Sequence, residues 1–146
     1  MGKKMATVIL CCLMFATCSI QAFAAEAKVN ISTLSDSSIS PHMDYIAQAK
    51  GSLYIDAKGV ATISCSVYGY QGTTTRVEIS AKLQQYSKGK WVTLNTFTAA
   101  SDSHRTSLSE TYHVDKGYSY RVYATIKAYS GTSVETQTVI SSEAKY

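Results

Sequence analysis

The sequence predicts an all-β domain over residues 43–146, and three features of this stretch carry the prediction. Apolar and polar residues alternate with period two along most of it, which is typical of strands with one buried and one solvated face. Short turn signals, such as Lys58-Gly59 and Ser130-Gly131, recur between segments of strand length. Thr, Val, Ile and Tyr, which suit a pleated and half-buried surface, are abundant. We therefore expect about seven antiparallel strands packed as a β-sandwich.

The first half of the domain predicts three elements. Tyr45–Lys50 and Ser52–Asp56 form a first strand that is broken around Gly51. A lysine–glycine turn leads into Val60–Tyr68, and a polar loop rich in Gly and Thr separates that strand from Arg76–Ser87. In this third element apolar residues occupy one face and charged or amide residues occupy the other, which indicates a sheet with one solvent-exposed face.

The second half predicts the remaining strands. Lys90–Thr98 follows a hairpin turn, and a polar loop at Ala99–Arg105 separates it from Thr106–Val114. The next strand is Tyr118–Tyr129, and a serine–glycine hairpin connects it to Thr132–Ser142. Such spacing without a convincing helix fits a sandwich or a small barrel.

The stretch from Asp115 to Val122 favours the sandwich. Its sequence, Asp-Lys-Gly-Tyr-Ser-Tyr-Arg-Val, resembles the corner of immunoglobulin-like and fibronectin type III domains, where a turn enters the penultimate strand. In that corner a tyrosine hydrogen-bonds to nearby backbone, and the resemblance assigns this structural role to Tyr120, with Gly117 in the turn. It implies an immunoglobulin-like sandwich and one inward stripe, formed by Tyr118, Tyr120, Val122, Ala124, Ile126 and Ala128. No Cys…Trp…Cys spacing is present, which excludes the antibody type.

A second resemblance extends over Met43 to Ser142. The stretch from Leu83 to Trp91, the Gly117–Val122 stretch and Glu135 are similar to a group of small exported proteins of Gram-positive bacteria, classed as a domain of unknown function. The shared motifs, Trp91 and Gly117 among them, are mostly structural. The resemblance therefore implies an extracellular location and a β fold, and it carries no catalytic residue.

Residues 1–24 predict a cleaved signal peptide. Two lysines precede an uncharged apolar run from Met5 to Ile20, and Ala22-Phe23-Ala24 has the small-x-small pattern that signal peptidase cuts. The run of about sixteen residues is short for a membrane span, which needs about 20, and no basic stop-transfer cluster follows it. A retained membrane anchor and a lipoprotein modified at Cys18 are the alternatives, and the residues before Cys18 fit the lipidation pattern poorly.

Cleavage would leave a secreted, extracellular chain without a stable membrane anchor. Its formal charge, about +2 after Lys3 and Lys4 are lost, is too weak to imply nucleic acid, which usually requires a concentrated basic stripe. Residues 25–42 are rich in Ser and Thr and predict a flexible arm that ends near Pro41, with one weak edge strand at Val29–Thr33.

No pattern of catalytic or metal-binding residues is found. The three histidines and the acidic residues are scattered, which disfavours zinc and calcium sites, and there is no Gly-x-Ser-x-Gly motif. Cys65, the one cysteine left after cleavage, shares a face with apolar neighbours and is expected to be a buried structural thiol; a reactive or dimer-forming thiol is the alternative. We therefore expect no disulfide, no enzyme activity and no cofactor.

Glu110 is the one acidic residue that period two places on an apolar face. A buried carboxylate without a partner costs several kcal/mol, so a partner or a sheet-edge position is expected. An alternative that the residue types permit is an intramolecular isopeptide bond between a lysine and Asn95, with Glu110 as the inward acid beside them.

Tyrosine gives the only binding signal. All 11 tyrosines follow residue 24, and several lie on outward faces or near loops. Exposed tyrosines on a sheet can stack on sugars or anchor a protein partner, and they can equally pack across strands to cover an open face. The candidate contact residues are Tyr68, Tyr86, Tyr123 and Tyr129.

These features favour a small secreted, non-catalytic binding or interaction protein that contacts a glycan or protein at the cell surface. The alternative is a secreted bacteriocin-like or toxin-like effector, supported by export, small size and slight positive charge.

The predicted signal peptide implies a specific start for the exported protein. We expect its intact mass to correspond to a chain that begins at Ala25, because the small-x-small site ends at Ala24. Mass spectrometry of culture supernatant measures this. A chain that begins at Cys18 with added lipid mass, or an uncut precursor in the cell, contradicts it.

Overall fold

A computed structural model describes residues 43–146, and every regular element in this range is a β-strand. The predicted signal peptide at residues 1–24 and the predicted arm at 25–42, with its weak strand, lie outside the described residues. The strands are β1 (Ile46–Ile55), β2 (Val60–Gly69), β3 (Arg76–Ser87), β4 (Lys90–Ser101), β5 (Arg105–His113), β6 (Ser119–Ser130), β7 (Ser133–Ile140) and the short β8 (Ala144–Lys145).

The strands form two antiparallel sheets, so the predicted β-sandwich is confirmed. The small sheet has the order β1-β2-β5, and the large sheet has the order β4-β3-β6-β7, with β8 paired to β6. In a constant-type immunoglobulin domain the fourth strand lies in the sheet of the first, second and fifth. Here the fourth strand pairs with β3 instead, which leaves β5 at an edge of the small sheet.

The core lies between the inward faces of β2, β3 and β6. Each of these strands alternates between buried and more exposed residues, as period two requires. Alanines alternate with larger aliphatic side chains, and burial of each large one contributes about 1.5–3 kcal/mol. The most deeply buried side chains are those of Ala61, Ile63, Val67, Val77, Ile79, Ala81, Leu83, Tyr120, Val122, Ala124, Ile126 and Ala128.

The predicted break at Gly51 is wrong, because β1 runs through it without interruption. Gly51 pairs with Cys65 in the β1–β2 ladder. A β-carbon at Gly51 would lie 3.2 Å from Cγ1 of Val139 on β7. The glycine therefore marks a place where the two sheets approach closely, which is the other common reason for glycine within a strand.

Two further bounds differ from the prediction. β4 continues to Ser101, so the loop predicted from Ala99 is much shorter. β7 ends at Ile140, since Ser141 inserts its side chain into the ladder: its Oγ accepts a hydrogen bond from the N–H of Val122 at 2.9 Å, while its own N–H donates to the Val122 carbonyl at 3.0 Å. The chain then pairs with β6 again as β8, a strand that the sequence pattern did not predict.

Tyr120 makes the contact that the immunoglobulin-like corner implies. Its ring is fully buried, and its hydroxyl donates to the backbone carbonyl of Asp115, five residues upstream, at 2.7 Å. The amide of Gln85 donates to the same hydroxyl at 3.1 Å. Gly117 has a φ of 91°, a left-handed conformation that strongly favours glycine in this turn.

Tyr118 is not part of the inward stripe, contrary to the prediction. It is 40% exposed and precedes the first residue of β6, so strand alternation does not determine its direction. Its backbone is paired instead with Tyr146, whose N–H donates to the Tyr118 carbonyl at 3.2 Å.

The carboxylate of Glu135 joins the two sheets at the start of β1. Its oxygens accept hydrogen bonds from three consecutive backbone N–H groups, those of Asp44, Tyr45 and Ile46, at 2.9, 2.9 and 2.8 Å. Glu135 lies on β7 of the large sheet, and β1 belongs to the small sheet. Charge-assisted bonds of this kind are stronger than neutral ones, so this side chain stabilises the closure of one side of the sandwich.

Removal of this carboxylate should destabilise the fold. We expect Glu135→Ala to lower the free energy of unfolding by about 2–4 kcal/mol, and Glu135→Gln by less, because the amide keeps one acceptor oxygen. Urea unfolding at neutral pH measures both variants. Glu143→Ala, which removes an exposed carboxylate, is the matched control. A loss at Glu135 no larger than at Glu143 contradicts the role assigned to this contact.

Candidate functional site

The candidate site is the outer face of the large sheet, near the hairpin that joins β3 to β4. Lys88 and Gly89 form this hairpin with φ values of 51° and 81°, the two positive angles of a type I′ turn. The tight turn places Trp91 directly opposite Tyr86. On the other side of β3, Arg121 of β6 lies opposite Gln84. We call Gln84, Tyr86, Trp91 and Arg121 the aromatic–arginine cluster.

Contacts within the cluster hold its members together. The rings of Tyr86 and Trp91 lie 5.2 Å apart between centroids and are tilted by 56°. The guanidinium carbon of Arg121 lies 4.2 Å from the centroid of the Trp91 ring, a cation–π contact. Nε of Arg121 donates to Oε1 of Gln84 at 2.9 Å. The cluster therefore combines exposed aromatic surface with a positioned cation and an amide.

A β-bulge lies next to the cluster. The β3–β4 register shifts between Leu83 and Gln84, so that Leu83 pairs with Asn95 while Gln84 pairs with Thr93. The extra residue on β4 increases local twist and changes the direction of neighbouring side chains, a feature that is frequent beside functional sites.

Two more of the predicted tyrosines lie on this outer face. Tyr123 is opposite Lys82, one outward position along the strands from the cluster, and it is half-buried. Tyr129 lies at the far end of the face, opposite Arg76. Between the two ends is a shallow trough of about 240 Å³, lined by small side chains such as Ser80, Thr98 and Thr125 and by the charged side chains of Glu78 and Lys127.

Tyr129 is part of a polar network. Its hydroxyl donates to Oε2 of Glu78 at 3.0 Å, and Arg76 bonds to Glu78 and to Asp102. The hydrogen bond from Arg76 is the main cause that lowers the pKa of the Glu78 carboxyl, and desolvation is the main cause that raises the pKa of Tyr129. Because its hydroxyl already has a partner, Tyr129 is better explained as a residue that stabilises the sheet than as one that contacts a ligand.

Tyr68 lies on the other sheet and cannot share a surface with the remaining candidates. It is 46% exposed on β2, opposite Arg105 of β5. Period two identifies the outward face of a strand but not the sheet to which the strand belongs. Because strand neighbours cannot be read from period two, the sequence does not identify Gln84 and Arg121 as site residues, although both occupy outward positions of β3 and β6.

The described residues hold no group of metal-binding side chains, and their one cysteine is poorly suited to nucleophilic attack. Within residues 43–146 there is no group of three or more His, Cys, Asp or Glu side chains that could hold a metal ion. Cys65 is buried, as predicted, and desolvation raises the pKa of its thiol to about 11. A thiol with such a pKa is a poor nucleophile at neutral pH.

Glu110 occupies the sheet-edge position that was expected. It lies on β5, an edge strand of the small sheet, and is exposed. Every described lysine is exposed as well, so none lies in the interior, where the alternative isopeptide bond would need one.

Comparisons with protein-family models, with curated proteins and with solved structures find no match for this chain. The resemblance to small exported Gram-positive proteins therefore stays a prediction. Within the described residues no helix is long and apolar enough to cross a membrane.

The burial of Cys65 predicts that its thiol reacts slowly in the native protein. A pKa of about 11, against an ordinary value of 9.0, lowers the thiolate fraction about a hundredfold, and burial slows access further. We expect Ellman's reagent to label Cys65 of the native protein very slowly and to label it fully in guanidinium chloride. Cys65→Ser is the control for specificity. Rapid labelling of the native protein contradicts the buried position.

Proposed function

We propose that this chain is a small secreted, non-catalytic binding protein that contacts a cell-surface glycan through the outer face of its large sheet. The aromatic–arginine cluster is the observation that carries the proposal. Its tyrosine is 45% exposed, and its half-buried tryptophan contacts both that tyrosine and a guanidinium group.

The cluster presents the kinds of side chain that bind sugars. Aromatic rings pack against the apolar face of a pyranose, and amide and guanidinium groups hydrogen-bond to its hydroxyls. The bonds between Arg121, Gln84 and Trp91 position these groups before a ligand arrives, which reduces the entropy that binding must overcome.

The rest of the face favours a glycan over a protein. The trough lies beyond Lys82 and Tyr123 from the cluster, and hydroxyl and methyl groups such as those of Ser80, Thr98 and Thr125 line it together with the charged side chains of Glu78 and Lys127. Protein interfaces usually centre on a fully desolvated apolar core, whereas this face presents dispersed hydroxyls. A shallow trough on the same face as an aromatic cluster suits an extended chain of sugars.

Binding to cell walls tests the proposal. We expect Trp91→Ala and Tyr86→Ala each to weaken binding to purified Gram-positive cell walls by about tenfold or more, since stacking contacts contribute on the order of 1–3 kcal/mol. Co-sedimentation measures binding, and a glycan array identifies the sugar. Tyr54→Ala is the matched control, because Tyr54 is 58% exposed on the small sheet.

Unfolding curves must show that the variants are folded at the assay temperature. Unchanged binding by both cluster variants, or an equal loss with Tyr54→Ala, contradicts the proposed surface.

A further inference from the structure

The end of the large sheet that holds the cluster carries cations that form no ion pair in the described part of the chain. Lys82 lies one outward position from Gln84 on β3, and Lys145 of β8 pairs with Ser119, which in turn pairs with Tyr86. Both lysines are exposed. Within residues 43–146 the only ion pairs are those that Arg76 makes with Glu78 and Asp102. Lys82, Lys145 and Arg121 are therefore available to an external anion.

The carboxylates do not balance the positive charge at this end of the face. Glu78 lies four residues from Lys82 along β3, about 13 Å away at 3.3 Å per residue, which exceeds the Debye length of about 8 Å at physiological ionic strength. Glu78 is also occupied by Arg76 and Tyr129. Glu143, two residues before Lys145, lies within that Debye length and forms no ion pair in the described part of the chain, so this one carboxylate accompanies the three cations of Lys82, Lys145 and Arg121.

Arg121 has the geometry to bind an anionic group. Its Nε is bonded to Gln84, and this bond is the only one that its guanidinium makes within the described residues. The two terminal nitrogens remain free to donate a pair of parallel hydrogen bonds, which match the oxygens of a carboxylate or a phosphate. Because the group also lies over Trp91, a sugar that contacts the ring would bring an attached anion close to it.

We infer that the ligand of this surface is an anionic polysaccharide, in which carboxylate or phosphate groups recur along a sugar chain. The inference rests on the proposed function and adds the charge of the ligand to it. Rings of the cluster contact the sugar, while Arg121, Lys82 and Lys145 contact successive anionic groups. A glycan is favoured over single-stranded nucleic acid, since successive bases require a series of stacking rings and the cluster offers one aromatic pair.

Isothermal titration calorimetry with defined polymers tests the inference. The probes are polygalacturonate for the carboxylate, a poly(glycerol phosphate) teichoic acid for the phosphate, and neutral dextran. We expect at least one of the two anionic polymers to bind at least about tenfold more tightly than dextran and to weaken steeply as salt rises. Arg121→Gln and the double variant Lys82→Gln/Lys145→Gln should each lose about tenfold in affinity. Lys50→Gln/Lys58→Gln, which changes exposed lysines of β1 and the β1–β2 turn, should not.

The outcomes separate this inference from the proposed function. One outcome is salt-independent binding to dextran that Trp91→Ala abolishes and the Arg121 and lysine variants keep. That outcome contradicts the inference of an anionic ligand, and it leaves the proposed glycan-binding surface intact. Equal or tighter binding to an oligo-dT strand overturns the assignment to a polysaccharide. No binding to any polymer, together with wall binding that Trp91→Ala leaves unchanged, overturns both.

Discussion

The antiparallel pairing of β3 with β6 holds the inner and outer faces of the large sheet in register. Ile79 lies opposite Ile126 on the inner side, and five residues further along β3 Gln84 lies opposite Arg121 on the outer side. A slip of one residue would exchange the two faces, so that burial of the apolar set also determines which side chains are displayed. The same alternation that builds the core therefore assembles the aromatic–arginine cluster.

No disulfide secures this arrangement, because Cys65 is the one cysteine in the described residues and it is free. Side chains that hydrogen-bond to the backbone provide part of the stabilisation that a disulfide would give. Tyr120 ties the turn before β6 to the interior, Ser141 ends the β6–β7 ladder, and Glu135 holds the start of β1. Each of these bonds lies at an end of a strand, where a ladder leaves backbone groups unpaired and a polar side chain has most to contribute.

Much of this fold could be predicted from alternation and turn residues. The bounds of β3 follow directly from its sequence, and the corner motif identified Tyr120. Contacts between strands distant in the chain could not be predicted, because period two says nothing about which strands become neighbours. The bonds from Glu135 to the start of β1 span about 90 residues, and the placement of Arg121 over Trp91 requires knowledge that β4, β3 and β6 are adjacent.

The most direct test of the account is to map the bound ligand by NMR on isotope-labelled protein. During titration with soluble fragments of Gram-positive cell wall, the account predicts that amide shifts change around Tyr86, Trp91 and Arg121 and stay constant on β1, β2 and β5. The indole N–H offers an unambiguous probe, since Trp91 is the only tryptophan of the chain. Changes confined to the small sheet, with the signals of the cluster unmoved, would contradict it.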